Sequence, residues 1–143
     1  MDAESTHTVD AEHVLAELGL EPGWYVQEWG YDEDVDESLR DALQKALGTE
    51  LQDEADQEPV EAVILWWRED DGDATDLSDT LMDAQASLDE GPVWLLTPRK
   101  GREGHVDPAD VQEAAPVSGL HVTTGAGVSE NWSATRLVKK RGG

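Results

Sequence analysis

The residues with the most capacity for chemistry gather in three stretches. Two are acidic: Asp32-Glu33-Asp34 with Asp36 and Glu37, and Glu69-Asp70-Asp71-Gly72-Asp73. The third is basic and glycine-rich, Arg99-Lys100-Gly101-Arg102-Glu103-Gly104-His105. Seven of the ten basic residues fall within 99–102 and 136–141. Arg99, Lys100 and Arg102, with His105, have the charge to bind an anionic group, and glycines at 101 and 104 let backbone N–H groups approach it. The competing role for these bases is to offset the neighbouring acids. Asp32, Asp34, Asp70 and Asp73 offer hard oxygen donors of the kind that suit Mg²⁺ or Ca²⁺. Their spacing lacks the calcium-hand order and its closing Glu, so no metal is expected.

Other chemistries are excluded more firmly. The chain has no cysteine, which removes disulfides, thiolate zinc sites and thiol catalysis. Of His7, His13, His105 and His121, no two stand four residues apart. There is no Gly-x-Ser-x-Gly elbow and no phosphate-cradling Gly-x-x-x-x-Gly-Lys-Ser/Thr. No catalytic residue is assigned. The formal net charge is −23, from 33 acids and ten bases. Such a charge argues against nucleic-acid binding and against docking on anionic membranes. It serves solubility, or it forms a surface that meets a basic partner. The N-terminus has no signal-peptide pattern, and no segment approaches 18 apolar residues. A cytoplasmic protein is expected. At 143 residues, one domain over 9–139 with flexible ends at 1–8 and 140–143 is the simple expectation.

The apolar runs must position those stretches. Ala62-Val63-Ile64-Leu65-Trp66-Trp67, ending in Arg68, is the most apolar run. It does not alternate, so it reads as a strand of about 60–67 covered on both faces, and as the centre of the sheet. Trp66 and Trp67 face opposite ways, each under a helix. Trp67, at the strand's end, is also a candidate ligand wall, as are Trp29 and Trp132. Trp24–Trp29 reads as the first strand and Val93–Thr97 as another buried one. His121–Thr124 and Ser133–Val138 form a closing antiparallel pair. Leu39, Ala42, Leu43, Ala46 and Leu47 make a helical stripe over 36–47. Helices are also expected from Val9 to Leu18 with Asp10 as cap, over 75–88, and from Pro108 to Ala115 with Asp107 as cap. Glu50-Leu51-Gln52 suits an edge strand, and 53–59 a loop. Strands alternating with helices imply an α/β, three-layer Rossmann-like fold, mostly parallel, with a C-terminal antiparallel hairpin. Ligands of such sheets bind beyond the strand C-termini at the switch point. Both acidic loops, the basic loop and Arg68 should meet there.

This order resembles the class I methyltransferase topology, over about residues 12–139 and with Leu18-Gly19-Leu20-Glu21-Pro22-Gly23 as the lead-in to the first strand. The chain also resembles a family of small acidic actinobacterial proteins of unknown function. The residues concerned are Leu18-Gly19-Leu20 with Pro22-Gly23, Leu65-Trp66-Trp67-Arg68, Trp94–Pro98, Gly104-His105-Val106, Glu113-Ala114-Ala115, and Trp132-Ser133 with Thr135–Val138. That family brings no activity with it. Methyltransferases carry Glu/Asp-x-Gly-x-Gly-x-Gly after the first strand, so that backbone approaches the cofactor. Here Glu28-Trp29-Gly30-Tyr31-Asp32-Glu33-Asp34 has one glycine. The resemblance therefore implies a degenerate methyltransferase-like scaffold, and no cofactor is expected.

The reading that follows is a non-catalytic regulator or adaptor that binds a protein partner or a small anionic effector. Its ligand-binding candidates are Arg68, Arg99, Lys100, Arg102, His105, Trp67 and Trp29. The alternative is an enzyme, such as a divergent S-adenosylmethionine-dependent methyltransferase, that uses the crevice. Replacing Arg99, Lys100 and Arg102 by Ser should cost at most about 0.5 kcal/mol each, as surface changes do. It should weaken binding of any anionic ligand. Urea denaturation with parallel anion titrations measures both, and a large stability loss would make the loop structural.

Overall fold

The computed structural model describes residues 11–140. Asp10 and the start of the expected first helix lie outside them. Helix α1 spans Ala11–Leu18, α2 Glu37–Leu47, α3 Ala74–Ala84 and α4 Pro108–Val117. Strand β1 spans Val26–Trp29, β2 Ala62–Trp66, β3 Val93–Pro98, β4 Leu120–Ala126 and β5 Trp132–Lys139. The five strands form one sheet in the order β1-β2-β3-β5-β4. β1, β2 and β3 run parallel, and β5 is antiparallel to both β3 and β4.

Alternation divides the core in two. Val26, Ala62, Ile64, Trp66, Trp94 and Leu96 bury with α1 and α2 on one face, called the front here. Val63, Leu65, Trp67, Val93 and Leu95 bury with α3 and α4 on the back. Trp66 and Trp67 thus lie under opposite layers, as an unalternating run requires. β2 is not the centre of the sheet, however; β3 is. An apolar run reports that both faces are covered, and strands beside the centre meet that condition too.

The helices follow from local chemistry. Asp36 caps α2 by accepting from the Leu39 N–H at 3.1 Å, and Gly48 ends it at φ 83°. Asp107 caps α4 with Pro108 as its first residue. α3 stops at Ala84, short of the expected Leu88, where the Gln85 amide turns to the carbonyls of Leu81 and Ser118. Leu88 instead bridges Val60.

Gln52 makes an isolated parallel bridge to Gln27 and no longer strand. Its N–H donates to the Val26 carbonyl at 2.8 Å, and its carbonyl accepts from the Glu28 N–H at 2.9 Å. This bridge explains the topology. β1 to β2 to β3 steps one way across the sheet, yet α2 and α3 lie on opposite faces. Uniformly right-handed crossovers would place them on the same face. The chain instead steps outward from β1 through α2 to Gln52 on the outer edge. It then reverses through residues 53–61 to β2. That reversal puts the switch point between β1 and β2.

Among the described residues no helix forms along this return. The Gln27 side chain, 1% exposed, holds the loop in place of one. Its amide nitrogen donates to the carbonyls of Asp53 at 3.1 Å and Asp56 at 2.8 Å, and its oxygen accepts from the Trp29 indole at 2.8 Å. Gln27→Ala removes these hydrogen bonds, at about 0.5–1.5 kcal/mol of net stability for each. Urea denaturation should show a loss in that range, with hydrogen exchange at 53–56 accelerated ahead of the core.

Candidate functional site

Three side chains at the C-terminal ends of β1 and β2 build the crevice, Glu28 and Trp66 from beneath and Arg68 at its rim. Glu28 points to the front and is buried. Arg40 of α2 meets its carboxylate through both Nε at 2.7 Å and Nη2 at 2.9 Å. The Trp66 indole N–H donates to the same carboxylate at 2.9 Å. A buried carboxylate is tolerated only when paired in this way. The hydrogen bonds that Arg40 donates to Glu28 raise its pKa above the ordinary value, against the opposing effect of burial. Arg40 also bonds Glu37 and lies 4.5 Å over the Tyr31 ring. The Tyr31 hydroxyl donates to Glu37 at 2.7 Å, which lowers the Glu37 pKa and raises that of Tyr31.

Arg68 closes the crevice. Its Nε donates to Asp34 Oδ2 at 2.9 Å, and its Nη2 to Asp34 Oδ1. Its Nη1 donates to the Gly30 carbonyl at 2.8 Å and the Trp66 carbonyl at 3.3 Å. The guanidinium lies 5.2 Å from the Trp132 ring centre, and Trp132 meets Trp66 edge-on at 4.9 Å. Burial lowers the Arg68 pKa, and Asp34 with Asp71 more than offsets it. The first loop is thereby drawn over the ends of β1 and β2. Gly30, at φ 76°, lies so close to β2 that a Cβ there would collide with the Trp66 carbonyl. That glycine serves chain packing rather than approach to a ligand.

The three loops do meet. The Glu69 N–H donates to the Gly104 carbonyl at 2.9 Å, joining the second acidic loop to the basic one. The expected binding residues divide among separate roles, however. Arg99 donates to the Ser129 carbonyl at 2.7 Å, and His105 Nδ1 lies 2.9 Å from the Pro98 carbonyl. Lys100 and Arg102 are exposed. Arg68 and Arg102 share a cavity of 310 Å³ with Asp34, Asp70, Glu103 and Trp132. Trp29 and Trp67 share a larger one, of 590 Å³, with Tyr31, Asp32, Glu54, Asp76, Asp79 and Asp83. Asp73 caps α3 in a reciprocal pair with Asp76, and backbone N–H donation at that cap lowers the Asp73 pKa. No cluster of three or more His, Asp or Glu able to hold a metal occurs among the described residues. Sequence reasoning missed Glu28, Arg40 and Asp34 as a set. The available signal was an acid within the first strand, Glu28, with an Arg beside the apolar stripe of the following helix, Arg40.

The methyl donor implied by the topology does not fit these residues. The first loop lacks the glycines that would bring backbone to it. The Asp34–Arg68 pair occupies the ground between that loop and β2, and Glu28 is committed to the interior.

The bond from Arg68 holds the Asp34 carboxyl below the usual carboxylate range. A depressed folded-state pKa contributes stability above the unfolded value that fades as pH falls through the folded one. Asp34→Asn should therefore lose stability at neutral pH and differ little from the parent in strong acid. Urea midpoints from pH 7 down to about 2.5 would show this convergence. A gap that persists unchanged into acid would mean that the Asp34 charge is not what holds the loop.

Among solved structures, the chain resembles magnesium protoporphyrin IX methyltransferase (ChlM) from Synechocystis PCC 6803 with bound SAM. The TM-score is 0.58 at 15% identity, over 91% of this chain and 78% of that one. It also resembles a SAM-dependent methyltransferase from Aquifex aeolicus, with a TM-score of 0.54 at 15% identity over 97% and 94%. These likenesses establish a methyltransferase-like fold. The uncharacterized proteins Rv2239c of Mycobacterium tuberculosis and Mb2263c of Mycobacterium bovis are each 46% identical over 132 residues, 92% of this chain and 81% of theirs. Residues 15–141 match the family described as protein of unknown function (DUF3052), and the chain belongs to that family.

Proposed function

We propose that this protein is a non-catalytic adaptor or regulator that binds a protein partner on a methyltransferase-like scaffold. The observation that carries this reading is the Arg68 bridge to Asp34 and Gly30 across the switch point. Ligands of open parallel sheets occupy that ground, and here the chain fills it with its own side chains. No helix among the described residues is long and apolar enough to cross a membrane. The larger cavity gives the partner a chemistry. Its indoles and carboxylates complement a basic, amphipathic segment, for which charge complementarity speeds encounter and rejects acidic competitors. The smaller cavity beside Arg68 and Arg102 is the place for a small anionic effector.

The enzymatic alternative separates cleanly by ligand-induced stabilisation. A ligand at a hundred times its Kd adds about 2.7 kcal/mol to the folded state. S-adenosylmethionine and S-adenosylhomocysteine should leave the melting temperature unchanged. A saturable rise with either would overturn the closed-crevice reading. An immobilised full chain should retain one stoichiometric basic partner, released by salt, and Asp79→Asn with Asp83→Asn should weaken that capture. Retention indifferent to both salt and these substitutions would rule out the acidic face as the binding surface.

A further inference from the structure

The acids are distributed very unevenly. Residues 114–143 hold one of the 33 acids, Glu130, and four of the ten bases. Of these, 114–139 form the end of α4 and the hairpin of β4 and β5. β4 is an outer strand of the sheet, and among the described residues its outward edge pairs with no other strand. The opposite edge, at β1, is occupied by the Gln52 bridge and the loop behind it. Natural sheets defend an open edge with charge, proline or a bulge. β4 has no proline and no acidic or basic side chain; His121, Thr123 and Thr124 are exposed along it. Its one defence is the register shift between Val122 and Gly125.

We propose that the outer edge of β4 pairs with the same edge of a second copy of this chain, across a twofold axis. Charge selects that occupant. Two chains of net charge −23 repel wherever their acidic faces meet. The β4 edge is where they meet least of it, although α4, which packs against β4, carries Asp110 and Glu113. The acidic loops leave the ends of β1 and β2, three or more strand positions from that edge. At about 4.8 Å per strand this is roughly 14 Å in each copy, beyond a screening length of about 8 Å at physiological salt. Edge-to-edge pairing thus sets the two acidic bodies at the far ends of one continuous sheet. An isologous contact consumes the open edge of both copies, so assembly stops at two.

The test is the solution mass of the full chain by sedimentation equilibrium, alone and as the His121→Lys, Thr124→Lys double variant. Both positions are exposed, so the variant should keep its circular dichroism spectrum and unfold cooperatively, at a melting temperature that no longer depends on concentration. The wild-type chain should have the mass of two copies and the variant that of one. Hydrogen exchange on the wild-type chain supplies a readout that needs no variant: outward-pointing amides of β4 should be protected, more so as concentration rises. A wild-type monomer at every concentration would overturn the proposal, and would leave the edge to a strand of a different protein. A dimer that survives both lysines with freely exchanging β4 amides would also overturn it.

Discussion

Burying the Glu28 carboxylate is the constraint on which the rest of the crevice depends. A charge inside a sheet face costs several kcal/mol unless its oxygens are matched. Arg40 and the Trp66 indole match them, and each is fixed by doing so. α2 is held at one height along β1, because a guanidinium that engages both oxygens tolerates little sliding. The Trp66 ring is held in one orientation, which presents its neighbour Trp132 edge-on. Trp132 in turn offers its face to Arg68. The acid nearest the crevice therefore organises the crevice from beneath and does not enter it.

From Arg68 the same chain of contacts reaches the hairpin. Arg68 holds Asp34, and two residues on Asp36 caps α2 while accepting from the Ser129 hydroxyl at 2.6 Å. Arg99 bonds the carbonyl of that same Ser129. The first loop is thus fixed at Gly30, Asp34 and Asp36, by groups from β2 and from the loop before β5. The exposed pairs in this set contribute little energy individually. Their effect is geometric. With so many points fixed, the loop has one position, and that position covers the strand ends.

The layered fold was legible in the sequence because it rests on periodicity. The unalternating run from Ala62 to Trp67, the stripe from Leu39 to Leu47 and the cap at Asp107 each specify an element from neighbours within a few positions. What escaped depends on distant partners. β2 was placed at the centre because an apolar run reports covered faces and not rank within a sheet. That Arg68 meets Asp34 and Arg99 meets the Ser129 carbonyl is equally invisible, because a base at a strand end looks the same in sequence whatever distant group it faces. Gln52 was read as a strand residue, but its one bridge is what returns the chain past β1. Pairings over 30 residues or more, such as Arg68 with Asp34, leave no local period to detect.

Shared topology does not by itself carry a shared site. The likeness to methyltransferases at 15% identity covers nearly the whole chain. Function, however, resides in sites placed on a fold, and one scaffold carries many. In this chain the ground that would admit a cofactor holds Arg68, Asp34 and Gly30, each satisfied by the others. To readmit a ligand there, the protein would have to break the guanidinium's contacts with Asp34 and the Gly30 carbonyl and leave a half-buried cation to be re-paired. An anionic ligand meets that requirement better than a cationic methyl donor, because it can replace the Asp34 carboxylate bond for bond. The paired Arg68 guanidinium thus sets the charge that any ligand entering the crevice would have to match.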